Sequence, residues 1–513
     1  MTFFRQIASS LLVNRILPPL TVFLFIILLI GIYRVVKRRS FSENSTDWAY
    51  FILAILALGL VLRIYAGKIF MHHEFQYLRI AHSIFRTGYF SQCINSMGCI
   101  PPFLKAYIFY PSLIASTYIF TGVTLKAGTV INLVFGTLVV LLAALTGYLE
   151  ENRLTAVYYA FLTALFPLAI GYSKIPDSHI SGIFFMFLTL VLLRLSEKDQ
   201  ELFFLAVISA ILSFNSKQYH IFLALPIISK TVSISRKTGL KVWVEKKVYY
   251  LYYAVILFAC SLLFPHNYDI ITSRVLPSQG LGISNLFFGL SGLLNRFPVF
   301  WFVLSISLIC LIYSVFRREN TGIALLFTVY ATAALTHAPG EGGVPLRILN
   351  PALLLLFFFG AKSLSIISRK AAKVSKSLKY TASTSILVLT SVFFLTSGFI
   401  DISEGMVETE DIKNVSESIR EDTPIYTFKA NRFISVSKRD ITDLNYRQPI
   451  EDEKSDSIAF IGSVCRPGKA EDQDVAEFLE ELENEGFTLE STEMHRFGKT
   501  CMFRKMDASN PED

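Results

Sequence analysis

Two carboxylates stand where an apolar chain has no packing use for them. Glu74 follows His72 and His73 where a hydrophobic run ends. It opens a stretch, FQYLRIAHSIFRTGY (75–89), with the apolar spacing of an amphipathic helix ending at Gly88. Asp177 lies in SKIPDSH, between two apolar segments joined by almost no loop. A carboxylate within reach of an acceptor hydroxyl takes the proton in group transfer, a contribution of roughly 10²–10⁴-fold in rate. Asp at a helix start also serves as an N-cap, and the two roles are compatible. Four basic residues fall on the same expected side: Arg63 near the end of an apolar span, Arg79 just after Glu74, Lys217 in NSKQY, and Arg347 in GGVPLRILNP. Such cations either snorkel to headgroups or pair with a phosphate carried by a lipid, and two carboxylates among them favour the second. Asp269 reads as a solvated loop acid. His72, His73 and Glu74 are candidate ligands for a divalent metal, with His337 and Glu341 as candidates to complete the set, although the spacing matches no standard zinc pattern. No other cofactor is expected.

The elements that must position these groups are membrane helices. The chain has 513 residues, of which 53% are hydrophobic, and a mean hydropathy of +0.50. That marks an α-helical polytopic membrane protein. Residues 1–400 hold 34 Lys and Arg against 13 Asp and Glu, while residues 401–513 hold 14 against 27. Two domains follow: a membrane domain, 1–400, and an acidic C-terminal domain, 401–513. The basic excess sits between apolar spans, where it sets topology, so no nucleic-acid partner is expected. Spans of about 20 apolar residues are expected at 17–36, 48–66, 127–148, 154–172, 178–194, 201–214, 219–233, 248–264, 297–316, 320–337, 347–366 and 381–400, about twelve in all. The first is kept as a membrane helix because no small-residue cleavage site follows it.

Placing the Lys- and Arg-rich loops in the cytoplasm puts Glu74, Asp177, Lys217, Arg347 and the C-terminal domain outside. Residues 103–121 are then expected along the outer surface. The outer aromatics, Tyr77 and Tyr110 among them, read as sugar-stacking or headgroup-belt residues. Helices at 409–420 and 472–485, with strands at 423–428, 457–462 and 501–505, make the C-terminal part a small α/β domain. Cys93 with Cys99, and Cys465 with Cys501, are candidate disulfides on the outer side; free thiols are the alternative.

Four stretches resemble the GT-C superfamily of membrane glycosyltransferases, which includes protein O-mannosyltransferases, aminoarabinose transferases and oligosaccharyltransferases. They are LRIYAGKIFMHHEFQYLRIAHSIFRTGYF, Pro101-Pro102 with the aromatic segment after it, LFPLAIGYSKIPDSHISGIFFMFLTLVLL, and GGVPLRILNPALLLLFF. NSKQYHIFLALP is similar to the family segment with a Lys at the outer face. The resemblance covers roughly residues 50–400. Its departure is at His73, which stands where the family's first-loop Asp is expected, with Glu74 next. No WWDYG-like motif is present in the C-terminal domain, which counts against an oligosaccharyltransferase.

The resemblance implies an inverting transferase in the plasma membrane that moves a sugar from a polyprenyl-phosphate donor to a protein, lipid or glycan acceptor outside. Glu74 or Asp177 would be the base. Arg347 and Lys217, with Arg79 or Arg63, would hold the phosphate, and His73 would lie at the substrate. The alternatives are a transporter or flippase for a lipid-linked sugar, and a non-catalytic relative.

Overall fold

The computed structural model describes residues 11–38, 46–65, 74–88, 92–94, 98–100, 108–124, 126–197, 199–238, 247–270, 299–336 and 344–374 of the N-terminal part. Of the C-terminal part it describes 419, 423, 425–427, 441–443, 457–462, 465, 473–495 and 498–505. The helices in order are α1 (Leu11–Arg38), α2 (Thr46–Tyr65), α3 (Glu74–Thr87), α4 (Phe109–Thr121), α5 (Lys126–Glu150), α6 (Arg153–Leu165), α7 (Pro167–Lys174), α8 (His179–Leu195) and α9 (Glu201–Phe214). A 3₁₀ turn (Gln218–Leu223) leads into α10 (Ala224–Thr238), followed by α11 (Lys247–Ile270), α12 (Val299–Arg317), α13 (Thr321–Thr336) and α14 (Val344–Val374). A short antiparallel hairpin, β1 (Gln92–Ile94) with β2 (Gly98–Ile100), separates α3 from α4 and sets Cys93 opposite Cys99.

The sequence of α8, HISGIFFMFLTLVLLRL, is apolar on every face, and such a helix belongs in the centre of a bundle. It lies there, between α5 and α9, with nearly every residue from His179 to Leu193 buried. The rings of Phe25, Phe109, Phe135 and Phe185 meet edge to face around it. α14 packs on α6, α12 and α13. Phe23 on α1, Leu257 and Phe258 on α11, and Ile309 and Phe316 on α12 stay exposed, as residues facing lipid would.

Three helices among the described residues are long and apolar enough to cross a membrane: Arg15–Lys37, Lys126–Glu150 and Leu349–Lys370. Six further apolar helices are shorter, and the expected span at 381–400 lies outside the described residues. The expected single span 154–172 is instead two helices, α6 and α7, bent by 56°; counted together they make a fourth. Pro167 causes the break. It denies the preceding residue helical geometry, and Phe166 is extended (φ −66°, ψ 112°) with Pro167 starting the new helix. After the bend, α7 packs on α5 and α2. Residues 109–121 of the segment expected along the outer surface form α4, packed on α3, α1 and α5.

The bundle end opposite Asp177 is also polar. Lys362 on α14 is buried and donates to Glu151 (2.6 Å), Glu319 (2.8 Å) and Asn320 (2.8 Å). Arg194 pairs with Glu197 (3.0 Å) and Glu150 (3.6 Å).

The C-terminal residues form a five-stranded sheet in the order β4-β3-β5-β7-β6, from β3 (Ile425–Thr427), β4 (Ile441–Asp443), β5 (Ser457–Gly462), β6 (Phe487–His495) and β7 (Gly498–Lys505). The first three are parallel and the last two antiparallel. The amphipathic α15 (Gln473–Asn484) buries Val475, Phe478, Leu479 and Leu482 in a separate apolar core with Phe460, Phe487 and Phe503. The expected disulfide is present: Cys465 bonds to Cys501 with Cα atoms 5.5 Å apart. The expected helix at 409–420 falls almost wholly outside the described residues.

Candidate active site

Asp177, Ser178 and His179 are three consecutive buried polar residues at the entry to α8. Each reaches a different element. Asp177 Oδ1 accepts from Lys217 Nζ at 3.0 Å, with the two side chains 3% and 10% exposed. The same oxygen accepts from Ser178 Oγ and from the His179 backbone N–H, both at 3.2 Å. The carboxylate therefore takes one of the free amides at the start of α8, as the capping role expected of it requires, and it lies at the positive end of that helix.

The Ser178 and Tyr77 hydroxyls are hydrogen-bonded to each other (2.9 Å), and the Tyr77 oxygen accepts from Lys217 Nζ (3.3 Å); the ammonium sits 5.6 Å from the centre of the Tyr77 ring. Tyr77 lies one turn after Glu74 on α3. The bonds of its hydroxyl thus bring the helix that Glu74 begins onto the Asp177–Lys217 pair.

The His179 ring is bonded on both nitrogens. Asn350 Nδ2 on α14 donates to Nε2 (3.2 Å), and Nδ1 meets the Tyr219 hydroxyl on the 3₁₀ turn (2.5 Å). Tyr172 packs on the same ring at a tilt of 48°, with ring centres 4.5 Å apart. His220, next in the turn, meets the Tyr330 hydroxyl on α13 through Nδ1 (2.7 Å). Gly182 must be glycine here, because a methyl at that position would lie 2.6 Å from His220 Nε2.

The loop before Asp177 is fixed from behind. Asn132 Nδ2 on α5 donates to the carbonyls of Ile175 and Asp177 (2.7 Å for the latter). Arg63 is wholly buried in α2. Its Nε donates to Ser173 Oγ (3.1 Å), and its Nη1 to the carbonyls of Gly59 (2.9 Å) and Ala164 (3.5 Å). Burial holds its guanidinium among backbone carbonyls of α2 and α6, away from the headgroup position that snorkelling would give it.

Of the sequence candidates, the structure brings Asp177 and Lys217 into direct contact. It places Glu74 at the start of the helix that docks on them and Arg347 in the first turn of the helix that docks on His179. The side chains of Glu74, Arg79 and Arg347, and all of His72, His73, His337 and Glu341, lie outside the described part. Among the described residues no group of three His, Cys, Asp or Glu is placed to hold a metal. Tyr77 and Tyr110, expected to face sugar or headgroups, are buried instead. Their hydroxyls are used inside the protein, Tyr110 donating to the Gly128 carbonyl at 2.8 Å. Sequence reasoning missed Ser178, His179, Tyr219 and Asn350. Only Asn350 carried a signal: an amide in the apolar run RILNPALLLLFF is costly unless it is used.

The overall arrangement matches known structures. ArnT from Cupriavidus metallidurans, bound to undecaprenyl phosphate, superposes with a TM-score of 0.56 over 91% of this chain and 100% of its own, at 11% identity. The apo oligosaccharyltransferase of Archaeoglobus fulgidus gives 0.52 over 86% of this chain and 69% of its own, at 12% identity. The chain shares the overall fold of these two structures. The A. fulgidus enzyme AglB, in complex with an inhibitory peptide and a dolichol-phosphate, gives 0.50 over 81% of this chain and 70% of its own, at 12% identity. No family model matches the sequence, and no curated protein does. Helices long and apolar enough to cross a bilayer, with large apolar side chains left exposed, support a membrane protein. The identities carry the fold and nothing finer.

Proposed function

We propose that this GT-C chain is an inverting glycosyltransferase that uses a polyprenyl-phosphate sugar. The observation that carries the proposal is the buried Asp177–Lys217 pair, onto which Tyr77 docks the helix that begins with Glu74. Asp177 Oδ1 already takes three donors, so its part is to hold Lys217 and the start of α8. Glu74 is then the base. It takes the proton of an acceptor hydroxyl as that oxygen bonds to the sugar's anomeric carbon; the bond from that carbon to the phosphate oxygen breaks, and polyprenyl phosphate leaves. Lys217 and Arg347 stabilise the charge that develops on the phosphate. Arg79 and His73 are second candidates for that site. Arg63, held by backbone carbonyls, supports α7 from behind.

The short apolar helices are the remaining spans of an arrangement of about twelve. The site and residues 401–513 face the extracytoplasmic side. The Cys465–Cys501 bond supports that side, because disulfides persist in oxidising compartments. That part of the chain is a separate acidic domain, as its own apolar core supports.

The test is transfer in vitro by the purified chain from radiolabelled polyprenyl-phosphate sugars. Glu74→Gln is expected to lower kcat by roughly 10²–10⁴-fold in folded protein. Transfer unaffected by Glu74→Gln moves the base to Asp177. Donor binding with no transfer from any sugar refutes the enzyme and leaves the lipid-linked sugar transporter or the non-catalytic relative.

A further inference from the structure

Pro351 sits inside α14, four residues after Arg347. Proline has no N–H to give the carbonyl four residues back, and its ring crowds that carbonyl. The helix runs unbroken from Val344, but its ladder lacks the one bond that would tie the Arg347 carbonyl to residue 351. A lateral contact adds to the bonds that remain. Asn350, buried and one turn beyond Arg347, donates to His179 Nε2, and Tyr219 holds the other nitrogen of the same ring. His179 is two residues from Asp177, at the first position of α8.

We infer that Asn350 and His179 form a latch that sets the position of Arg347 relative to the Asp177–Lys217 pair, so that Asn350 is a positioning residue for the lipid-phosphate leaving group. Proline removes one backbone bond at Arg347, and the latch adds a lateral restraint one turn further on. Residues 347 and 350 lie on one helix face, three apart, so fixing one fixes the other. This inference rests on the lipid-phosphate reading given above.

The probe is undecaprenyl phosphate, with its affinity measured for the full chain in detergent. Asn350→Leu keeps the side-chain volume close and removes the hydrogen bond; His179→Phe removes it from the other side. Thermal unfolding confirms that each variant is folded. Either substitution is expected to weaken binding by about tenfold, and the loss is expected to vanish in the Arg347→Ala background, because coupled residues are not additive. An equal loss in both backgrounds makes Asn350 merely structural and overturns the latch. So does Arg347→Ala weakening binding while Asn350→Leu and His179→Phe do not. Unchanged affinity in Arg347→Ala alone refutes the lipid-phosphate reading itself, a different result from failure of the latch.

Discussion

A buried ammonium and a buried carboxylate depend on each other more than the fold depends on either. With Lys217 and Asp177 almost fully enclosed, removing one charge strands the other. Lys217→Met is expected to cost about 3–5 kcal/mol in unfolding free energy, and the double change with Asp177→Asn to recover part of it. Additive losses in a two-by-two set of variants would show that the pair is not coupled. Tyr77→Phe takes away the hydroxyl that bonds both Ser178 and Lys217. It is expected to cost about 1–3 kcal/mol and to lower kcat, since the helix beginning at Glu74 loses its anchor; normal turnover in this variant would contradict the docking role. Asp177 and Lys217 were legible in the sequence because an ion in an apolar stretch has few innocent explanations. Tyr77, Ser178 and His179 were not. Tyrosine and serine are common in apolar helices for packing or backbone bonding, and a single histidine shows its role only when its ring partners, 40 and 171 residues away, are known.

At the scale of elements, the Asp177 loop is only as well placed as α7, and α7 is seated on α5 by the absence of side chains. A methyl at Gly136 would lie 2.0 Å from Ser173 Oγ and 3.0 Å from Arg63 Nε. Gly136→Ala is expected to destabilise by about 1–3 kcal/mol, the usual cost of overpacking, read as a lower Tm in detergent. An unchanged Tm would mean that α7 shifts freely. Most helices were legible from apolar runs alone: the expected 178–194 and 201–214 are α8 and α9 to within a residue. The break at Phe166 was not, because the hydropathy of LTALFPLAIG is continuous through Pro167 and only the backbone restriction of proline interrupts it. β6 was missed because FTLESTEMH is mostly polar, and its strand character comes from pairing with β7.

At the scale of the molecule, the fold was legible through the order of weak motifs along the chain. No single motif specified it, and about one residue in nine is shared with the structures it matches. The bundle has two polar ends. Asp177, Lys217 and His179 lie at the start of α8, and Arg194 with Glu150 and Glu197 at its finish. α8 has 17 residues, which at 1.5 Å per residue separates these ends by roughly 25 Å. A bilayer's hydrocarbon layer is about 30 Å thick. On the proposed function the central helix would act as a depth gauge: with its far charges among one leaflet's headgroups, the near cluster would come level with those of the other. The phosphate of a lipid donor would then rest at that level, so the donor would not have to be lifted from the membrane to react, only approached sideways. Reconstituted into lipids of increasing acyl length, the chain is expected to be most active near the matching thickness and to lose activity on both sides of it. A flat response would show that the depth of the site is set by something other than α8.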